Sequence, residues 1–303
     1  MLCYRARAIL PESVRHRHSS GDTHNLYVRF VDGHVQAGGA TLSELLSLPD
    51  DELAPDVKAR LIYGSAISMA RLVFLTPGTP RHIDVAMDIV SAIAHQIANE
   101  PRYLTGLLQT MRNDTLYSHS VNVCIYTTAL AHHFGHEGKA LTTLGMAAFL
   151  HDIGKARVPD SILEKPGSLD AEEWKSVRRH PELGIEVLGE LAERLLPEVR
   201  AAVLEHHERL DGSGYPRGLA GADVCWAARL VAITDVYDAL TSERPYRAAL
   251  SPAAALRIAR EEMLGQIDGG MLEQFVRMLS DPAARVARSR LVRSVEGKVA
   301  RIA

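Results

Sequence analysis

Two acidic residues inside apolar helical segments constrain the fold of this chain more than any other feature. Asp235 lies within ARLVAITDVYDAL, and Asp152 follows the apolar run MAAFL. An ionised carboxylate that is buried without a partner is strongly destabilising. The fold must therefore bring cationic or metal partners to both carboxylates from distant parts of the chain.

The length and composition are those of an ordinary globular protein. The chain has 303 residues, of which 47% are apolar and 23% charged, which allows one large domain or two. The net charge of -3 provides no general attraction to polyanions, so we expect no long nucleic acid as a partner.

The cysteines and the apolar runs indicate the compartment. Cys3, Cys124 and Cys225 show no CxxC spacing, which favours a reducing compartment without disulfides. No apolar run approaches the roughly 18 residues that span a bilayer, and MLCYRARAIL lacks the long apolar stretch of a secretion signal. We therefore expect a cytoplasmic protein that does not enter a membrane.

The pattern along the chain predicts a mainly α fold, in which a helical bundle follows a small mixed α/β domain. Residues 26–35, LYVRFVDGHV, alternate around Asp32-Gly33 like a short β-hairpin, and helical spacing follows it. We place the boundary near Glu100-Pro101. Residues 1–100 then form the mixed domain, whose role is unknown and for which a sensory or regulatory role is the hypothesis. Residues 101–303 form an all-α domain with a basic C-terminal tail.

Capping residues predict where several helices begin and end. Asp114 is a candidate N-cap, and residues 139–152 form a helix predicted to stop at Gly154. Asp170 and Glu173 have the spacing of a capping box.

The stretch HHERLDGSGYPRGL, from His206 to Leu219, places two adjacent imidazoles before a glycine-rich loop. Neighbouring residues on a helix point about 100° apart, so the two rings cannot share one apolar groove. Packing alone does not explain the two adjacent histidines. A bound group that contacts both rings explains them.

Seven residues of the second region are potential metal ligands. A lone helical histidine is usually structural, and we assign that role to three histidines at a helix C-terminus, where the dipole favours an imidazolium. Those three are His132, His133 and His136. The seven candidates are His119, His151, Asp152, His180, His206, His207 and Asp235. Nitrogen and carboxylate donors without thiolate suit iron, manganese or zinc, and seven ligands imply two ions bridged by one carboxylate.

Four blocks carry a family resemblance. HDIGK at residues 151–155, RRHPELG at 178–184, HHERLDGSGYPRGL, and ITDVYDALTSERPYR at 233–247 resemble the successive motifs of the HD-GYP phosphodiesterases. The resemblance runs from about Ser118 to Phe275. It implies a helical bundle that hydrolyses cyclic di-GMP to pGpG, GMP or both, with a hydroxide activated by two metal ions.

The resemblance also assigns the ligands. It implies one metal on His119, His151, Asp152 and Asp235, and a second on Asp152, His180, His206 and His207. Asp152 bridges them and is catalytic. Iron or manganese is the expected metal, with zinc, nickel and magnesium as alternatives. Some family members hold a third metal with a glutamate where this chain has Thr115, so we expect two ions.

On the substrate side, the resemblance implies that Lys155 faces the phosphate or the nucleophile, and the alternative is a cation that satisfies helix-end carbonyls. It further implies that residues of the glycine-rich loop and of the last motif contact the substrate. For the two arginines of the last motif, Arg244 and Arg247, a surface role is the alternative. The predicted contacts are Gly214, Tyr215, Pro216, Asp238, Arg244 and Arg247. The family's downstream block is reduced here to QIDGG, which keeps only Asp268.

Two other functions remain open at this point. The chain could be a cyclic di-GMP receptor or adaptor with weak turnover that contacts diguanylate cyclases (GGDEF proteins) through the GYP loop. It could also be an HD hydrolase of another cyclic dinucleotide or nucleotide. The sequence leaves undecided the metal, the final product, the signal sensed by residues 1–100 and whether the protein forms a homodimer.

Overall fold

The computed structural model describes residues 3–6, 26–31, 34–37, 40–99, 101–111, 115–243 and 248–280. Several sequence predictions fall outside these ranges: the turn Asp32-Gly33, the substrate contacts Arg244 and Arg247, and the basic tail. None of the helices in the described ranges is long and apolar enough to cross a lipid bilayer.

A four-stranded antiparallel sheet comes first in the chain, in the order β1-β2-β3-β4. Its strands are β1 (Cys3–Ala6), β2 (Leu26–Val31), β3 (His34–Ala37) and β4 (Ala40–Thr41). Strands β2 and β3 pair on either side of the predicted turn, with Val31 opposite His34.

Helices dominate the described part of the chain, which confirms the predicted mainly α class. They are α1 (Leu42–Leu46), α2 (Pro55–Leu75), α3 (Pro80–Asn99), α4 (Pro101–Thr110), α5 (Leu116–His133), α6 (Gly138–Leu150), α7 (Asp160–Leu163), α8 (Ala171–Arg178), α9 (His180–Leu188), α10 (Glu190–Arg194), α11 (Pro197–Glu205), α12 (Trp226–Thr241), α13 (Pro252–Glu261) and α14 (Gly269–Ser280). Two 3₁₀ turns, Ile153–Arg157 and Gly221–Asp223, lie between them.

Helix α6 is the centre of the bundle because its second half is apolar on every side. Residues from Leu144 to Leu150 are all buried, and the helix packs against α3, α5 and α11. A Cβ at Gly145 would lie 2.7 Å from Val90 Cγ1 and 2.8 Å from Thr128 Oγ1, so glycine permits this close approach. The C-terminal end of α6 delivers His151 and Asp152 into the interior.

One hydrophobic core joins the helices on both sides of residue 100. Leu45, Tyr63 and Ile89 belong to the same buried cluster as Leu150 and Phe275. The division into a domain of residues 1–100 and a domain of residues 101–303 stays a prediction.

The capping box at Asp170 and Glu173 is confirmed at the start of α8. The predicted cap at Asp114 is wrong, because the N-cap of α5 is Thr115. Its hydroxyl accepts from the backbone N–H of Ser118, whose own hydroxyl accepts from the N–H of Thr115. Thr115 therefore has a structural role at the helix start.

The prediction that a helix stops at Gly154 is also wrong. Helix α6 ends at Leu150, and Gly154 lies inside the 3₁₀ turn Ile153–Arg157. A Cβ at Gly154 would lie 1.9 Å from the carbonyl oxygen of His180. Glycine is therefore needed because this turn packs directly on the start of α9, which brings Asp152 close to His180.

Candidate metal centre

The structure brings the seven predicted ligands together at the ends of α6, α9 and α11 and along α5 and α12. They form two groups, and within each group the ligand atoms lie within 4.8 Å of one another. The first cluster is His119, His151 and Asp235. The second cluster is Asp152, His180, His206 and His207.

Asp152 lies between the two clusters and faces both. Its Oδ1 is 3.3 Å from His180 Nε2 and 3.7 Å from His206 Nε2. Its Oδ2 is 3.4 Å from His151 Nε2 and 3.6 Å from His119 Nε2. One carboxylate thus offers one oxygen to each cluster, which is the arrangement of a bridging ligand.

The Nδ1 atoms of four imidazoles face hydrogen-bond acceptors. Those of His151, His180 and His206 lie 2.6, 2.7 and 2.9 Å from backbone carbonyl oxygens within the preceding turn. His119 Nδ1 is 2.7 Å from Asp238 Oδ2. We therefore assign a ring proton to Nδ1 in each ring; in His151, His180 and His206 this leaves the Nε2 lone pair directed into the site.

Two further observations fit metal ions at these clusters. The Nε2 atoms of His180 and His206 are 3.1 Å apart, and with both protons on Nδ1 neither can donate to the other. His151 Nε2 and Asp152 Oδ1 are buried and have no hydrogen-bond partner among the described residues. Facing lone pairs and orphaned acceptors are costly unless a cation lies between them. The nitrogen and oxygen donor set suits a divalent transition metal.

The imidazoles of the second cluster are in the neutral form. Burial lowers the pKa of His180 to about 3, although nearby Asp152 opposes the shift. Burial also lowers the pKa of His206, and it lowers that of His207 to well below its ordinary value. These imidazoles are therefore neutral near pH 7, which is the form that binds metal.

The first cluster carries an internal ion pair. Burial would lower the pKa of His119, but its hydrogen bonds to Asp235 and Asp238 raise it to about 9. Burial likewise opposes ionisation of Asp235, but the hydrogen bond from His119 holds the pKa of Asp235 well below its ordinary value. His119 Nε2 and Asp235 Oδ1 are 3.1 Å apart.

Asp238, a predicted substrate contact, lies one turn beyond Asp235 and behind His119. Only 1% of its surface is exposed. Its Oδ2 faces His119 Nδ1, and its Oδ1 accepts from Asn122 Nδ2 at 3.0 Å. Tyr63 Oη of helix α2 donates in turn to Asn122 Oδ1 at 2.9 Å. A buried relay therefore leads from α2 to a predicted ligand.

The relay residues Tyr63 and Asn122 were not found from the sequence. Asn122 could have been found from its spacing, because it lies three residues after His119 and so shares a face of α5 with it. No sequence pattern indicated Tyr63, because it lies 59 residues before Asn122.

Lys155 extends from the 3₁₀ turn back to the bridging carboxylate. Its Nζ is 2.5 Å from Asp152 Oδ2, and the side chain is 19% exposed. Burial raises the pKa of Asp152, but Lys155 and His151 outweigh it and hold that pKa well below its ordinary value.

The predicted GYP loop lies against the second cluster. The Tyr215 ring stacks on His207 with centroids 4.7 Å apart and planes at 26°. Burial raises the pKa of the half-buried Tyr215 phenol, so the phenol is neutral. A Cβ at Gly214 would lie 2.3 Å from Arg209 N, so only glycine fits there. Pro216 follows through a cis peptide bond.

Two buried glutamates that the sequence analysis missed hold this loop in place. Glu208 accepts the backbone N–H groups of Arg217 and Leu219 at 2.7 and 3.0 Å. Glu205 pairs with the Arg217 guanidinium and accepts from Cys225 N at 2.8 Å. Their position in the sequence could have indicated this role, because they flank the histidine pair on both sides.

The family model described as HD domain matches residues 92–270. The chain is 40% identical over 193 residues to a cyclic di-GMP phosphodiesterase of Pseudomonas aeruginosa, covering 63% of this chain and 46% of that protein. It is 41% identical over 149 residues to 3'3'-cGAMP-specific phosphodiesterase 2 of Vibrio cholerae, covering 49% and 28%. The chain thus spans less than half the length of these relatives.

A solved structure shares the fold. An HDG"Y"P protein from Bdellovibrio bacteriovorus superposes with a TM-score of 0.68 at 22% identity, covering 78% of this chain and 76% of that one.

Proposed function

This chain belongs to the HD domain family, and on that premise we propose that it is a metal-dependent phosphodiesterase that opens a cyclic dinucleotide. The observation that carries the proposal is the pair of buried His/Asp clusters that face the two oxygens of Asp152. A binding protein has no need for a shared carboxylate between two cation sites, whereas phosphodiester hydrolysis does.

The first candidate substrate is cyclic di-GMP, cleaved to pGpG, GMP or both. The Pseudomonas relative named for that substrate supports it. A second candidate is 3'3'-cGAMP, because a relative named for it matches at 41% identity. In either case water adds to phosphorus, the bond from phosphorus to the 3′ oxygen breaks, and the product keeps a 5′ phosphate.

Two divalent ions, iron or manganese by preference over zinc, nickel or magnesium, would supply Lewis acidity and make a water molecule acidic enough to attack. Asp152 would hold both ions, one on each oxygen. The Nδ1 hydrogen bonds keep the imidazoles oriented with Nε2 towards the ions. We propose that Asp238 orients His119.

Lys155 is proposed to face the scissile phosphate. Its contact with the Asp152 carboxylate supports this role over the capping of helix-end carbonyls. A cation beside the bridging ligand would stabilise the negative charge that develops on the phosphate.

The loop residues Gly214, Tyr215 and Pro216 are proposed to contact the substrate, because the loop lies against the second cluster. The substrate contacts of Arg244 and Arg247 stay predictions. Binding of diguanylate cyclases through this loop stays a prediction too.

The test uses the 303-residue protein loaded anaerobically with Fe(II) or Mn(II). Cyclic di-GMP and 3'3'-cGAMP are supplied separately, and products are resolved by liquid chromatography. We expect linear product from at least one of them, and loss of metal and turnover in a His151→Ala, Asp152→Ala double variant. The matched control is His133→Ala, which removes an exposed histidine of α5 and should change neither.

The outcomes separate the candidates. If the metal-loaded protein binds cyclic di-GMP but leaves it intact, the receptor function replaces the proposed one. If only 3'3'-cGAMP is opened, the second candidate substrate is correct.

A further inference from the structure

Helix α8 ends with an arginine beside the metal centre. Arg178 is exposed, and its Cζ lies over the Tyr215 ring, 5.3 Å from the centroid. This is the distance of a cation–π contact. Because Tyr215 in turn stacks on His207, a single aromatic ring separates the Arg178 guanidinium from a residue of the second cluster.

The guanidinium of Arg178 has no carboxylate within ion-pair distance among the described residues. Three other cations near the site are engaged: Lys155 with Asp152, Arg217 with Glu205, and Arg209 with backbone carbonyl oxygens. The contact with Tyr215 places the guanidinium over the aromatic ring, and none of its N–H groups has a hydrogen-bond partner among the described residues. The N–H donors at its edge stay available to an anion.

A cyclic dinucleotide carries two phosphodiesters, and only one at a time can lie at the cations. The other is a second anion that leaves water when the substrate binds, so it needs a donor. We infer that Arg178 binds this second phosphate with its N–H donors while its contact with Tyr215 holds the guanidinium beside the site. The inference rests on the proposed function, since it takes a cyclic dinucleotide as the substrate.

The chain offers a matched control in the next residue. Arg179 is also exposed and without an ion-pair partner among the described residues, but it has no contact with Tyr215. Arg178→Ala and Arg179→Ala therefore remove the same charge from neighbouring positions. Arg178→Lys keeps the charge and loses the forked donors.

The experiment measures kcat and KM of the metal-loaded variants with the cyclic dinucleotide and with bis(p-nitrophenyl) phosphate, which has a single phosphodiester. Arg178→Ala should raise KM for the cyclic dinucleotide about tenfold with kcat nearly unchanged, because a charge-assisted hydrogen bond is lost. Arg178→Lys should recover part of this loss. Arg179→Ala, and every variant with the small diester, should match the wild type.

Three results would overturn the inference: equal KM values for Arg178→Ala and the wild type, equal effects of Arg178→Ala and Arg179→Ala, or an equal rise in KM with the small diester. Should Arg178→Ala fail to fold by circular dichroism, the comparison of Arg178→Lys with Arg179→Lys decides. If the wild type cleaves neither substrate, the proposed function fails. The Kd of cyclic di-GMP is then compared across the same variants, and equal or absent binding overturns the inference as well.

Discussion

The two ligand clusters meet at Asp152 but carry their charge differently. In the first cluster, His119 is hydrogen-bonded to Asp235 and Asp238, and its pKa is raised to about 9. In the second, burial lowers the pKa of His180 to about 3, and the Nε2 atoms of His180 and His206 face each other at 3.1 Å. A proton on His119 satisfies the first cluster, whereas the neutral rings of the second cluster leave two facing nitrogen lone pairs without a donor.

This difference shows that burial alone does not determine the protonation of a histidine. His119 and His180 are both buried, but His119 is hydrogen-bonded to two carboxylates, whereas His180 lies near one carboxylate and the Lys155 ammonium. The number of acidic neighbours decides the direction of the pKa shift.

Removal of the shared ligand should have the largest effect, because it breaks both clusters. Asp152→Ala is expected to lower the metal content from two ions towards none and to reduce turnover by at least about 1000-fold. Elemental analysis and the cleavage assay measure these two quantities. Asp84→Ala, which removes an exposed carboxylate of α3, should leave both intact. Retention of two ions by Asp152→Ala would show that no ligand is shared.

Removal of one ligand from each cluster should separate them. We expect His119→Ala and His180→Ala each to retain about one ion per chain, with turnover reduced by about 100-fold or more because a two-metal mechanism needs both. Metal titration by calorimetry counts the remaining sites. Loss of both ions from either variant would mean that the clusters bind cooperatively as one site.

The pH dependence of metal binding should differ between these two variants. His180→Ala keeps the first cluster, where metal must displace the His119 proton, so affinity should rise about tenfold per pH unit up to about pH 9. His119→Ala keeps the second cluster, whose imidazoles are already neutral, so affinity should be nearly flat between about pH 6 and 8. Parallel pH profiles in the two variants would contradict the assigned protonation states.

The same raised pKa affects the stability of the metal-free protein. A group whose folded pKa lies above its unfolded value of 6.5 contributes stability below that value and loses it as pH rises. The metal-free fold should therefore lose this contribution as pH rises through about 9.

The relay behind the first cluster should have the smallest effect. Tyr63→Phe removes only the hydroxyl that donates to Asn122 Oδ1. We expect metal affinity of the first cluster to fall by a few-fold, since outer hydrogen bonds tune ligand orientation. The second cluster provides the internal control, because its ligands have no contact with this relay among the described residues. An equal change at both clusters would indicate a general loss of packing around α2.

The capping box and the helices could be predicted from the sequence because they depend on residues that are close together in the chain. The capping box of Asp170 and Glu173 depends on residues three apart, and the helical spacing of the segments that form α2 and α3 follows from apolar periodicity. The candidate ligands were accessible for a related reason, since carboxylates in apolar helices and paired histidines are costly without a partner.

The errors arose where contacts between distant segments override local preference. Gly154 resembles a helix terminator, but the backbone of His180 pressing against it makes glycine necessary. The substrate contact of Asp238 stays a prediction, and its hydrogen bonds with His119 and Asn122 were likewise not accessible from the sequence. Thr115 competes with Asp114 for the same helix start, and the geometry of the turn favours the threonine.

The sequence by itself determined the helical class of the bundle and which acidic and imidazole side chains need a partner, because periodicity and the cost of buried charge operate within a few residues. Only the tertiary structure decided which oxygen of Asp152 faces which cluster and which histidine is protonated near pH 7. It also decided that Tyr63, within the first hundred residues, connects through Asn122 and Asp238 to His119. These properties depend on distances of 3–4 Å between segments far apart in the chain, which packing of the whole core sets.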